Sequence, residues 1–347
     1  MMLWLWIGVG PALVAAAWSL RGERKRALWV TGQLGASPVD PLPQASVIVP
    51  LGGGTETAED IRRGLEAIAA LDYPDCEVIV AALNASAIPP RALPDRAKVV
   101  LGQAGPLAGV EGARRGSQVL AFANPDAIPG KQWLRALVVA LQQNGADAAT
   151  GYRWFLPARP AFWALLRSVC DGIIADAFGA GPSRLVYPGS MAVWRHALKG
   201  SAATPEALRR GNVRIVYAPG AAVVCTSGIS GPEFFTWIRR RASQIRRDDP
   251  ALWWRLLVLN GASCAGMAAS VTASLLGSRL AEWALVALLG LTILKGANRA
   301  TLAKASLPEF RAWFDRHSWV HAFWLPLASW AWVYGLIGSL TKRKYNR

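Results

Sequence analysis

Histidine, cysteine and acidic side chains are scarce in this chain. Its 347 residues include three histidines and four cysteines, and 22 acidic residues face 38 basic ones. Cys76, Cys170, Cys225 and Cys264 are scattered with no close pair, and His196, His317 and His321 form no ligand spacing with them. This pattern speaks against a zinc centre and against a disulfide framework, so the thiols read as small apolar residues of a reducing compartment. The shortage of acids leaves a formal net charge of +16. Such a balance would suit nucleic acid, yet the chain has no zinc-finger spacing, no helix-turn-helix and no aromatic RNA-binding signature, and no nucleic-acid partner is expected.

Apolar sequence, by contrast, is abundant: 53% of the residues are hydrophobic and 17 are tryptophan. Residues 1 to 20 carry no charge, and about 20 apolar residues suffice to cross a bilayer. The basic run RGERKR follows this stretch instead of preceding it, and no small-residue cleavage pattern stands before it, which favours an uncleaved transmembrane anchor over a signal peptide. Three further apolar stretches, at 253 to 277, 280 to 297 and 319 to 340, have tryptophans near their ends, where aromatic rings sit at the headgroup level. Basic clusters flank these segments at 21 to 26, 239 to 247 and 341 to 347. They place the water-facing part in the cytoplasm of a multi-pass membrane protein, the inner membrane of a cell or another, and against anionic lipid. Four spans with the first loop inside would leave the basic tail outside, so one stretch is expected to be re-entrant or interfacial, and 298 to 317 reads as an interfacial amphipathic helix. A small transporter is disfavoured because the spans carry almost no charge.

The expected organisation is an anchor at 1–20, a basic linker at 21–43, a cytoplasmic domain at 44–230, an interfacial basic helix at 231–252, a membrane region at 253–340 and a basic tail at 341–347. Within the cytoplasmic domain, strands are predicted at 45 to 51, 76 to 83, 97 to 102 and 117 to 123, with helices from Thr55 through Leu71 and over 131 to 143. Alternating strands and helices predict an α/β domain with a parallel sheet covered on both faces, whose ligands bind beyond the carboxyl ends of the strands. The strand LAFA delivers Asn124 and Asp126 to that edge.

The stretch SVIVPLGGG…LEAIAALDYPDCEVIVA resembles the opening of family 2 glycosyltransferases of the GT-A fold. Further on, LAFANPDAIPGKQWL, TGYRWFLP and YPGSMAVWRHAL resemble the ceramide glucosyltransferase branch, family 21, which includes hopanoid-associated bacterial members. The similarity extends from about residue 44 to 254, and the ending WLPLASWAW…SLTKRKY resembles that branch's last membrane segment. The resemblance implies a GT-A domain with N-terminal and C-terminal transmembrane helices. It also implies inverting transfer of a sugar from a nucleotide-sugar, a UDP-sugar, to a membrane lipid acceptor at the cytoplasmic face.

That chemistry has three requirements. A Mg²⁺ or Mn²⁺ ion bridges the diphosphate, and the family places an aspartate pair at the positions of Asn124 and Asp126. Asp126 remains as the metal ligand, or else it only caps the turn before the next helix. A general base must deprotonate the acceptor, and the family's acids fall where Thr204 and Pro205 stand. Glu206 is the nearby carboxylate, readable as base or as a first-turn acid of a helix capped by Thr204. Cationic grip comes from a family Arg/Gln-x-x-Arg-Trp motif; Gln244, Arg246 and Arg247 occupy that region, although Asp248 stands where tryptophan is expected, and a lipid-binding basic helix is the competing reading. The family's nucleotide acid after the second strand is replaced by Asn84. Gly189 and Ser190 either shape an acceptor pocket or pack a tight strand start. Two functions follow: a lipid-directed glycosyltransferase, or an impaired pseudoglycosyltransferase serving as a lipid- or partner-binding membrane module.

Overall fold

A computed structural model describes residues 2–36, 40–52, 56–90, 92–94, 97–102, 105–198 and 213–341. The chain begins with a helix, α1 (Met2–Leu34), that runs through the expected anchor and most of the expected linker without a break. The sheet domain then starts with β1 (Ala45–Leu51), α2 (Ala58–Ala69), β2 (Cys76–Ala82), β3 (Ala97–Leu101), α3 (Pro106–Gly112) and β4 (Val119–Ala123). Thr57, in extended backbone, accepts from the Asp60 amide at 3.2 Å, which starts α2 two residues after the predicted position.

Each central strand alternates its side chains between two cores. Val47, Val49, Val78, Val80 and Ala121 face α2 and α4 (Trp133–Asn144), whereas Ile48, Ile79, Leu120 and Phe122 face the α3 side. This period of two, with both faces apolar, reads as a continuous hydrophobic run in sequence. Beyond α4 come β6 (Ala148–Thr150), β8 (Ser190–Trp194) and β9 (Ile215–Tyr217), which complete a seven-stranded sheet of order β3-β2-β1-β4-β8-β6-β9. β8 runs antiparallel to both β4 and β6, so the sheet is mixed and not wholly parallel as expected. Residues 147 to 155 are divided: β6 stays in the large sheet, and β7 (Arg153–Phe155) joins β5 (Ile128–Pro129) and β10 (Val223–Cys225) in a three-stranded sheet.

Helix α5 (Phe162–Ala175) joins the two halves of the molecule. It is buried from Ala164 to Ala175, as a helix apolar on all sides must be. The other half is helical: α6 (Gly231–Asp248), α7 (Pro250–Leu275), α8 (Arg279–Ser306), α9 (Arg311–Phe323) and α10 (Leu325–Gly338). Trp332 on α10 donates its indole N–H to the Cys170 carbonyl at 2.9 Å, and Trp313 on α9 donates to the Pro157 carbonyl at 3.3 Å, which fastens this half to α5 and the loop before it.

Among the described residues, α7 and α8 are long and apolar enough to cross a membrane; the pair 308–323 and 325–338 would qualify together but is bent by 66°. The amphipathic helix expected over 298 to 317 is two pieces. Residues 298 to 306 prolong α8, and the chain then breaks at Leu307 because Pro308 disfavours a helical residue before it. The extension carries Arg299 into the same helix as Lys295, so this span has more charge than the sequence reading allowed.

Candidate functional site

At the carboxyl ends of β1 and β4 lies a cavity of about 330 Å³, lined by Glu56, Asp60, Asn124, Asp126, Arg153 and Arg167 together with Phe155, Ser227 and one face of α6. This is the edge where parallel sheets bind ligands. The turn carrying Asn124 and Asp126 is pinned from beneath by α2: a Cβ on Gly64 would lie 2.1 Å from the Pro125 carbonyl oxygen, so only glycine permits this approach. Asn124 donates its amide to the Tyr187 hydroxyl at 3.2 Å.

Asp126 accepts from the Cys225 thiol through Oδ2 at 3.1 Å, while its Oδ1 is buried without a hydrogen-bond partner. Cys225, expected to be a simple apolar filler, therefore holds the carboxylate. Burial, followed by the negative Asp126 beside it, raises the thiol's pKa, which keeps the donor proton in place at neutral pH.

The cationic wall comes from three elements. Strand β7 supplies Arg153 and Phe155, two residues apart and hence on one side of the strand. Helix α5 supplies Arg167. Both guanidinium groups lie over the Phe155 ring, at 4.3 and 3.7 Å from its centre. Burial, and then the neighbouring Arg153 cation, pull the Arg167 pKa down to about 10. Helix α6 supplies Trp237, Arg240, Arg241 and Gln244, at spacings that put four side chains on one face. Its buried stripe, Phe234, Ile238, Ala242 and Ile245, fixes that orientation. Behind this wall the buried Asp171 carboxyl is raised by burial against the pull of Arg241 and Arg153, and its Oδ1 has no hydrogen-bond partner.

Unmet polar atoms concentrate here. Arg167 Nε and Arg241 Nε are buried and unpartnered like Asp126 Oδ1. Buried polar atoms are nearly always satisfied in native folds, so orphans gathered at one cavity indicate groups set to meet a ligand.

The sequence-predicted residues divide. Asn124, Asp126 and Gln244 line the cavity. Arg246 and Arg247 do not: both are exposed, Arg246 leaves the face of Gln244 and donates to the Ser339 carbonyl at 3.1 Å, and Arg247 lies a turn beyond the residues that line the cavity. Gly189 lies against the site's rear, where a Cβ would come within 2.6 Å of both Asn124 and the Tyr187 hydroxyl. Ser190 is wholly buried, accepting from the Trp133 indole at 2.8 Å and donating to the Ala221 carbonyl at 2.7 Å. Glu206, with Thr204 and Pro205, falls outside the described residues. Asn84 caps the short turn after β2, accepting from the Ala87 amide at 3.2 Å. Among the described residues no three His, Cys, Asp or Glu side chains gather to hold a metal ion, so Asp126 would need oxygens from elsewhere. Sequence reasoning missed Arg153, Arg167, Arg240 and Arg241; Arg167 and Asp171, four residues apart in an otherwise apolar helix, are the signal that was there to read.

No known protein family's profile matches this chain, and no curated protein matches it in sequence. Solved structures to which this chain is similar include the mannosyltransferase PcManGT from Pyrobaculum calidifontis, in complex with GDP-Man and Mn²⁺. It is 17% identical over 94% of this chain and 98% of its own, with a TM-score of 0.48. TarS 1–349 from S. aureus in complex with UDP-GlcNAc is 15% identical over 82% of this chain and 90% of its own, with a TM-score of 0.36.

Proposed function

We propose that this chain is a membrane-embedded glycosyltransferase of GT-A type. In this reading it moves a sugar from a nucleotide-sugar, a UDP-sugar by its resemblance to family 2 and family 21 enzymes, to a lipid acceptor at the cytoplasmic face. The observation that carries this reading is the cavity at the strand ends, where one carboxylate with a free oxygen faces four arginines: Arg153, Arg167, Arg240 and Arg241. Guanidinium groups match phosphate oxygens in geometry as well as charge, and a diphosphate is the ligand that needs several of them. Phe155 and Trp237 flank the arginines with apolar surface suited to a base or sugar ring.

The donor set fits a divalent cation of the magnesium kind, because such an ion takes one or two protein carboxylates and completes its shell from phosphates and water. Asp126 Oδ1 would hold it, and Asn124 would supply a neutral oxygen or a hydrogen bond. When bound, the ion offsets the negative charge that develops on the departing diphosphate. The chain's own part is to hold the diphosphate by its arginines and to accept a proton. The acceptor hydroxyl forms a bond to the anomeric carbon, the bond from that carbon to the diphosphate breaks, and the hydroxyl proton passes to a carboxylate. Glu206 is one candidate for that base; Glu56 and Asp60 bring two carboxylates to the cavity wall and do not depend on the loop around 206.

Membrane attachment is supported by α7 and α8, by the apolar start of α1 and by the basic clusters that border them. The alternative, a pseudoglycosyltransferase, is favoured by one feature: Asn124 stands where a second acid would strengthen the ion's hold. Calorimetry with UDP and a UDP-sugar, with and without Mn²⁺, separates the two. Metal-dependent binding that disappears in Asp126→Ala supports the transferase. Folded protein that ignores millimolar nucleotide overturns it.

A further inference from the structure

A second cavity, of about 340 Å³, lies among α1, α7, α8 and α10 with the end of α5 at its floor. Its walls are graded. On α1 the lining runs from Ala12, Ala15 and Ala16 to Ser19, Glu23 and Arg26, and on α8 from Leu288 and Leu291 to Lys295 and Arg299. Both helices therefore pass from apolar to charged in the same sense, over about 21 Å along α1 at 1.5 Å per residue. Small side chains on α1 leave the apolar part open, and Leu256 and Leu259 of α7 close its opposite side.

The charged end is built, and it is incomplete. Arg299, only 2% exposed, donates Nε to Asp176 Oδ1 at 3.2 Å and pairs through Nη2 with Asp176 Oδ2, yet its Nη1 has no partner. Glu23 approaches Lys295 at 3.4 Å and Arg299 at 3.6 Å, and neither of its buried oxygens accepts a hydrogen bond. Arg26 and Arg255 add two more cations, so four positive groups face the two carboxylates of Glu23 and Asp176. Four cations set against two carboxylates, beside buried polar atoms that lack partners, mark a site for an anion. Among the described residues ten buried side-chain polar atoms lack a hydrogen-bond partner, and six belong to residues lining one or other of the two cavities. The bundle cavity thus has the same mark as the site at the sheet edge.

We propose that this cavity is a binding site for an anionic phospholipid whose head carries both a phosphate and a free hydroxyl, with an acyl chain along the alanine-lined part. The phosphate accepts from Arg299 Nη1 and from Lys295, the hydroxyl donates to Glu23, and the chain fills the space beside Ala12, Ala15 and Ala16. Phosphate accounts for the excess positive charge, a hydroxyl for the orphan acceptors, and a chain for the apolar gradient. The inference does not depend on sugar transfer: a chain with a dead nucleotide site would keep it.

The test is native mass spectrometry of the full chain in detergent, titrated with dioleoyl phosphatidylglycerol. Each of three controls lacks at least one feature: dioleoyl phosphatidylcholine has no free hydroxyl and no net charge, dioleoylglycerol has no phosphate, and glycerol phosphate has no chains. Phosphatidylglycerol should be retained at least tenfold more than any control. Lys295→Met and Ala16→Leu should each cut that retention at least fivefold; both avoid Arg299, whose loss could unfold the bundle, and their thermal unfolding is followed alongside. Equal retention of phosphatidylcholine or dioleoylglycerol, or binding of glycerol phosphate alone, overturns the proposal. So does undiminished retention in Ala16→Leu with wild-type thermal behaviour. Nucleotide calorimetry on the same sample reports separately on the transferase reading.

Discussion

The two cavities enclose nearly equal volumes and are made in opposite ways. The one at the sheet edge is walled by side chains from loops, a short strand and three helices, and its charges converge from separate elements on a central space. The one in the bundle is walled by regular helices, and its character changes along their length. The first construction suits a compact, highly charged ligand that must be held from several sides. The second suits an elongated one that is polar at one end. Helix α5 belongs to both: Arg167 near its start serves the first, and Asp176 just past its end serves the second.

The comparison is broken most severely at Asp176. A carboxylate at the C-terminal end of a helix is unfavourable to the helix dipole, and it is retained here against Arg299. Asp176→Ala would leave Arg299 buried with only Glu23 nearby, a loss expected to cost about 3–5 kcal/mol. Thermal unfolding in detergent should show the drop. If α5 couples the halves, nucleotide binding at the other end should fall only in proportion to the folded fraction. A smaller effect follows from Asp126→Ala, which removes the site's free carboxylate oxygen while leaving the fold intact. It should weaken Mn²⁺-supported UDP binding by tenfold or more, at least about 1.4 kcal/mol, with little change in UDP binding measured in chelator. Equal losses with and without metal would mean that Asp126 acts only on the arginines.

How far the sequence reached also differs between the two regions. In the sheet domain, β1 to β3 and α4 were legible within two residues, because strands buried on both faces read as unbroken apolar runs between turn signals. The end of LAFA delivered Asn124 and Asp126 to the right edge for the same reason. The arginines were not legible: Arg153 looks like any polar residue of a strand, and only the division of 147 to 155 between two sheets turns it inward. On α6 the basic run offered five arginines and one glutamine with no internal mark of direction. The stripe of Phe234, Ile238 and Ala242 settles it, admitting Arg240, Arg241 and Gln244 and turning Arg246 away, while Arg247 lies a turn past the cavity. The bundle cavity was invisible for a further reason. Its charges lie on α1, α5, α7 and α8, far apart in sequence, and the reading of 280 to 297 as one apolar span stopped short of Arg299.

Phe155 gives a finer comparison within the first site, since two guanidinium groups lie over one ring. Phe155→Leu keeps apolar volume and removes the ring's negative face. Cation–π contacts contribute about 0.5–2 kcal/mol, so UDP affinity should fall by a factor of a few while thermal stability shifts little. A loss as large as that of Asp126→Ala would mean that the nucleotide stacks on this ring directly.

The smallest effect concerns pH, and it separates the site's two states. Arg167 has its pKa pulled down to about 10 by burial and by Arg153, below that of a free arginine. In the unfolded chain it keeps its proton at higher pH, so between about 10 and the free value the unfolded state holds more protons, and stability rises with pH through this group. A bound phosphate acts in the opposite direction, because it favours the charged guanidinium. UDP affinity should therefore be level from pH 7 to 9 and decline as pH rises through 10, while the destabilisation that Arg167 imposes on the empty protein is relieved. Calorimetry for the first slope, and thermal unfolding of wild type against Arg167→Met for the second, should give opposite signs. Affinity that stays level past pH 10.5 would remove Arg167 from the phosphate grip and leave Arg153, Arg240 and Arg241 to hold it.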